Sequence, residues 1–168
     1  SDDELSSLKE AIQIIVEKHD INNTSAHFDA VLSDGRWKFF EVGLRIGGHR
    51  QEIYERSNNM DHFMNDIINR LEKVVEIPKR VKVACVVQKA PQESGILNSI
   101  SYTRMAYTSD SPLIAEDKIR KIGTSTAPVS QGGSTVIRFF ITGKDEIATV
   151  ESCKDLYNSI KVTIIPGS

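Results

Sequence analysis

Two acidic residues, Asp29 and Glu41, stand twelve positions apart in two β-like runs, residues 26–32 and 37–44, on either side of Ser33-Asp34-Gly35-Arg36. A polar, glycine-containing break between such runs signals a hairpin. Carboxylates on neighbouring strands that lean to one side can bracket one or two hard cations and, through them, phosphate oxygens. Whether they do depends on register, because side chains alternate with period two along a strand. A two-residue Asp34-Gly35 turn would pair Leu32 with Trp37 and send the acids to opposite faces. A three-residue Ser33-Asp34-Gly35 loop, with Gly35 left-handed and a bulge, pairs Leu32 with Arg36. That second register is the expected one, and it sets Asp29 diagonal to Glu41 on one face, about 7–8 Å away.

The same face is then expected to carry Val31, Trp37 and Phe39 on one side of the acids and Gly43 and Arg45 on the other. Such a gradient from apolar to cationic suits a nucleotide: base on the apolar part, metal and phosphates at the acids, guanidinium at the reacting end. A planar fork of donors at Arg45 matches phosphoryl and carboxylate oxygens. Gly47 and Gly48 let the backbone approach a ligand closely. The plainer alternatives are surface charges on a half-exposed hairpin, Trp37 and Phe39 as core aromatics, and a transition-metal site of His27, Asp29, Glu41 and His49, whose spacing matches no ligand motif.

These groups need elements to hold them. Apolar residues at Leu5, Leu8, Ile12 and Ile15 make one stripe on a helix over residues 2–18, with Asp2, Asp3 and Glu4 at its positive end. The cationic, glycine-bearing loop 45–50 follows the hairpin. A second helix is expected over 60–75 with Phe63, Ile67, Ile68, Leu71 and Val75 inside, and residues 76–79 end it at a subdomain boundary. Beyond it the chain reads as a strand at 81–87, a turn at 91–95, one or two strands in 96–107, a polar stretch at 124–133, a strand at 135–142, a helix at 145–158 and a strand at 160–165.

Composition narrows the function classes. With 39% apolar and 26% charged residues the chain can bury a core, and a net charge of −2 offers no bulk field for nucleic acid or an anionic membrane. No apolar run approaches the length of a membrane span, and the acidic N-terminus is unlike a secretory signal, so a cytoplasmic location is expected. Cys85 and Cys153 are distant in sequence and have no zinc-ligand company, which implies neither a disulfide scaffold nor a structural zinc site. The chain starts without Met and runs almost directly into a helix, and so reads as one piece of a longer protein.

Residues 28–48, FDAVLSDGRWKFFEVGLRIGG, resemble the metal-binding end of the ATP-grasp superfamily, in which an acid, a glycine turn and a strand reading Glu-x-Asn-x-Arg-x-Gly-Gly recur. Met60-Asp61 opening a helix resembles the family's helix after this loop. The second half is similar to the C-terminal cap subdomain of the biotin-carboxylase-like and amino-acid-ligase branches. The likeness is good over residues 21–75 and weak over 80–168.

The resemblance implies an α+β chain: the C-terminal portion of an ATP-grasp domain, antiparallel sheet with packed helices, over residues 1–78, then a small α+β cap subdomain over 79–168. It implies an ATP-dependent ligase joining a small carboxylate to an amine or thiol through an acyl-phosphate. Asp29 and Glu41 would be Mg²⁺ ligands and also contact ATP, Val31 would lie under the adenine, and Arg45 would be the catalytic residue facing the acyl-phosphate. The partner is the missing N-terminal half of the enzyme, which supplies phosphate-binding lysines, a glycine-rich flap and adenine contacts, so the piece alone would be inactive. Gly43 stands where the family usually has a metal-binding Asn, and Asp29 where Glu is commoner. The rival reading is therefore a degenerate, non-catalytic module kept for assembly or ligand sensing.

Overall fold

The computed structural model describes residues 2–75, 79–103 and 112–167. They form two compact units, residues 1–51 with 60–78, and residues 52–59 with 79–168.

The first unit holds α1 (Asp2–Lys18), a hairpin of β1 (His27–Ser33) and β2 (Arg36–Gly43), and α3 (His62–Arg70). α2 (Arg50–Asn58) begins in this unit and runs into the second. α1 carries Asp2, Asp3 and Glu4 in its first turn and Lys18 in its last, matched to the helix dipole. Its half-buried residues, Leu8, Ala11, Ile12, Ile15 and Val16, recur at helical spacing. Asp61 caps α3 by accepting from the Met64 amide at 3.0 Å, and Gln51 Oε1 accepts the Phe63 amide at 2.8 Å, so two orphan donors of the helix start are satisfied.

The second unit has two antiparallel three-stranded sheets, in order β3-β7-β5 and β6-β4-β8. β3 is Val83–Lys89, β4 Gly95–Ser101, β5 Leu113–Ile119, β6 Ser125–Thr126, β7 Ile137–Gly143 and β8 Lys161–Ile165, with α4 (Glu146–Ser159) between β7 and β8. β7 lies between two partners, and its consecutive apolar residues Phe139, Phe140 and Ile141 are buried on both faces. Val87, Leu97, Val136, Ile137, Phe139, Ile141, Leu156 and Ile160 form the core, each side chain contributing on the order of 1.5–3 kcal/mol by burial. Phe140 faces the other way, under the guanidinium of Arg56 at 4.9 Å, which is one reason α2 groups with this unit.

Several elements differ from expectation. α2 was not expected, because RQEIYERSN has too few apolar residues to show a stripe. β5 was also missed. The helix expected over 60–75 ends at Arg70, and Phe63, Ile67 and Leu71, expected inside, are exposed at 57%, 51% and 62%. Residues 76–78 and 104–107, where a boundary and part of a strand were expected, lie outside the described residues. No helix among the described residues is long and apolar enough to cross a membrane.

Candidate functional site

The hairpin corrects the expected register and yet keeps the acids together. Asp34 and Gly35 both have positive φ, 54° and 70°, and Ser33 pairs with Arg36 and Leu32 with Trp37. This is the two-residue turn whose right-handed twist matches its strands, which is why Asp-Gly adopts it in place of the longer loop. Such a turn alone would oppose the acids across the sheet. A bulge undoes that: Ala30 pairs with Phe39 and Asp29 with Glu41, so Phe40 is an extra residue in β2. Asp29 and Glu41 are therefore directly opposite rather than diagonal. Two adjacent aromatics, Phe39-Phe40, in an otherwise alternating strand are the signal of that bulge in the sequence.

The composition of the acid face changes with the register. Asp29 and Val31 of β1 share it with Lys38, Glu41 and Gly43 of β2, and Val31 is 43% exposed. Trp37 and Phe39, expected beside the acids, lie on the opposite face. Phe39 meets Phe28 edge-on at 6.0 Å, and the Trp37 indole donates to Ser7 Oγ of α1 at 3.1 Å. Both rings are half-buried on that face, away from the acids. Phe40, at the bulge beside Glu41, is 74% exposed.

Around the acids, His27 Nε2 approaches Asp29 Oδ1 at 3.3 Å, and Arg45 Nη2 approaches Glu41 Oε1 at 3.4 Å. Both carboxylates are more than half exposed, so these pairs are each worth at most about 1 kcal/mol. His27 Nδ1 is buried and has no hydrogen-bond partner among the described residues. Its ring packs against Gly47, where an added Cβ would come within 2.7 Å of His27 Cδ2. Arg45 folds back over Gly43: a Cβ there would meet its Cγ and Nε at 3.4 Å. Among the described residues no three His, Cys, Asp or Glu side chains gather to hold a metal, so the four-ligand transition-metal alternative with His49 does not form. What remains is a pair of hard oxygen donors facing outward, a donor set that suits Mg²⁺ completed by water and phosphate.

α3 fixes the ends of the hairpin. Asp66 accepts from the Ser25 amide at 2.6 Å and from Arg70 Nε at 2.8 Å, and Arg70 Nη2 reaches the Leu44 carbonyl at 3.5 Å. One acid thus ties the segment entering β1 and the segment leaving β2 to the same helix. Burial would raise the pKa of Asp66, but the hydrogen bonds from Arg70 and Ser25 and the Arg70 charge outweigh it and hold the carboxyl at about 2.

No protein-family model matches the sequence. No curated protein matches it in sequence. Solved structures do match in fold. Against an L-amino acid ligase from Bacillus licheniformis the identity is 17% and the TM-score 0.76, over 98% of this chain and 42% of that one. Against a phosphoribosylglycinamide synthetase from Anaerococcus prevotii the identity is 14% and the TM-score 0.67, over 98% of this chain and 43% of that one. Both are ATP-grasp enzymes. The chain spans about two fifths of the length of the structures it matches.

Proposed function

From a chain with the fold of part of an ATP-grasp enzyme, we propose the metal and phosphate end of an ATP-dependent carboxylate–amine ligase that works through an acyl-phosphate. The observation that carries the reading is the direct pairing of Asp29 with Glu41 on one exposed face. Mg²⁺ held by these two carboxylates would neutralise charge on the phosphate oxygens of ATP. Val31, next along the same face from Asp29, offers an apolar seat for the adenine. Arg45 is held by two long, solvent-exposed contacts, to Glu41 and to the Ile46 carbonyl, and can turn to the phosphoryl oxygens at little cost. There its fork of donors would stabilise the acyl-phosphate and the charge that develops as an amine attacks and phosphate leaves.

The first unit also supports a partner. Met60 is the only buried apolar side chain among its described residues, while Leu5, Phe40, Leu44, Phe63, Ile67 and Leu71 are all more than half exposed. A two-stranded hairpin with so little core is marginal by itself, and exposed apolar surface of this extent marks an interaction site. The reading assigns that surface to the remainder of the ATP-grasp enzyme, the part that carries the phosphate-binding lysines and the flap. Free cysteines and ATP as co-substrate go with a cytoplasmic protein.

The test uses the protein at its natural full length. Asp29→Ala and Glu41→Ala are each expected to cut ADP release about 100-fold or more, the loss of several kcal/mol of charge stabilisation. ATP hydrolysis at the parental rate in both variants would overturn the assignment. One observation favours the degenerate module instead: Gly43 supplies no side chain, and Arg45 occupies the space above it.

A further inference from the structure

The sequence has only two cysteines, about 70 residues apart, and separation in sequence argues against any link between them. The fold overrides that argument within the second unit. Cys85 on β3 pairs with Ile141 on β7, a core residue, so Cys85 points to the same side of the sheet as the core. α4 packs across that side onto β3 and β7. Its inner residues Thr149, Ser152 and Leu156 are buried, and Cys153, next to Ser152, packs against the core. Cys85 on the sheet and Cys153 on the helix thus project from facing layers, near enough for Cys85 to act on the Cys153 thiol. Both remain half-buried rather than sealed, so a small reagent has a way in.

We propose that Cys85 and Cys153 are a dithiol that closes to an intramolecular disulfide when it meets a small-molecule disulfide such as oxidised glutathione, fastening α4 to β3. One cysteine thiolate attacks a sulfur of oxidised glutathione, forming a mixed disulfide and expelling one glutathione thiolate. The second cysteine gives its proton to solvent and attacks the protein sulfur of that mixed disulfide, expelling the other glutathione thiolate. The protein loses two electrons and two protons, and oxidised glutathione becomes two molecules of glutathione. Burial, then the neighbouring Cys85, push the Cys153 thiol up to about 12, so at neutral pH this cysteine is protonated and must give up its proton before it can attack. Closure spans a long loop, and cross-links of that kind restrict the unfolded chain most.

The experiment treats the protein with oxidised or reduced glutathione, denatures it, alkylates with N-ethylmaleimide and measures intact mass and cysteine-bearing peptides. After oxidation the expected result is a protein lighter by two hydrogens, no alkylation, and a cross-linked peptide joining Cys85 to Cys153. The melting transition should rise by several degrees, and dithiothreitol should reverse both changes. Cys153→Ser should stop at a glutathione adduct on Cys85, with no internal cross-link. Full alkylation of both cysteines after oxidation, glutathione left on both, or links only between separate molecules would each overturn the proposal.

Discussion

Asp29 faces Glu41 directly across the hairpin because two departures from a plain ladder cancel. The turn at Asp34-Gly35 alone would put the acids on opposite faces, and the extra residue Phe40 brings Glu41 back. The turn is the more easily tested of the two. Gly35 has φ of 70° with open space around it, so a side chain there meets strain but no clash. Gly35→Ala should cost about 1 kcal/mol, the price of a left-handed residue with a Cβ, read as a lower denaturant midpoint with unchanged slope. Asp34→Gly, which relieves φ of 54°, should cost nothing or add stability. An equal loss from both variants would point to side-chain contacts rather than turn conformation.

Gly47 and His27 should behave as one unit. A methyl at Gly47 lands 2.7 Å from His27 Cδ2 and 3.2 Å from Arg50 Cγ, so Gly47→Ala has to displace the imidazole that borders Asp29. Overpacking of this kind costs about 1–3 kcal/mol. His27→Ala removes the obstacle, and the double variant should recover most of the loss. Additive losses in the double-mutant cycle would mean that the two residues do not meet.

Asp66 gives the first unit a defined acid sensitivity. Its carboxyl ionises near 2 in the folded chain against an ordinary value of 3.8, so a depressed folded pKa adds stability that is complete above the ordinary value and fades as pH falls toward 2. Asp66→Asn should destabilise by about 1–2 kcal/mol at pH 7, and its difference from the parent should shrink between pH 4 and pH 2. Urea titrations at the three pH values test this. A difference that stays constant down to pH 2 would mean that the Ser25 and Arg70 bonds do not depend on the charge.

How much of this was legible in the sequence depends on how local each signal is. α1, the hairpin and α4 were readable because caps, turn residues and periodicity lie within a few positions of one another. The turn is shorter than its sequence suggests because Asp-Gly serves both loop lengths, and the decision falls to the bulge at Phe40, visible only as two adjacent aromatics in an alternating strand. α2 was lost because its residues show no stripe. The helical spacing of Phe63, Ile67 and Leu71 implies burial without saying against what, and in this chain they are exposed. The placement of Cys85 and Cys153 on facing layers is beyond sequence reasoning, since it follows from packing a helix on a sheet assembled from distant segments.

Gly43 separates the two functional readings. The nearest atoms to a Cβ at this position belong to the Arg45 side chain, at 3.4 Å, and a flexible guanidinium on the surface can yield. Gly43→Asn should therefore fold normally, displace Arg45 from its pairing with Glu41, and add an oxygen donor beside the acids. If the site serves Mg-ATP, the variant should bind Mg²⁺ several-fold more tightly in the presence of ATP, by calorimetric titration of the natural full-length protein. Asp29→Ala in the same background should abolish the gain, because the new donor cannot hold the ion without its carboxylate neighbours. A folded Gly43→Asn variant with no gain in affinity or turnover would favour the non-catalytic module, in which Arg45 lying over Gly43 takes the position of a cation.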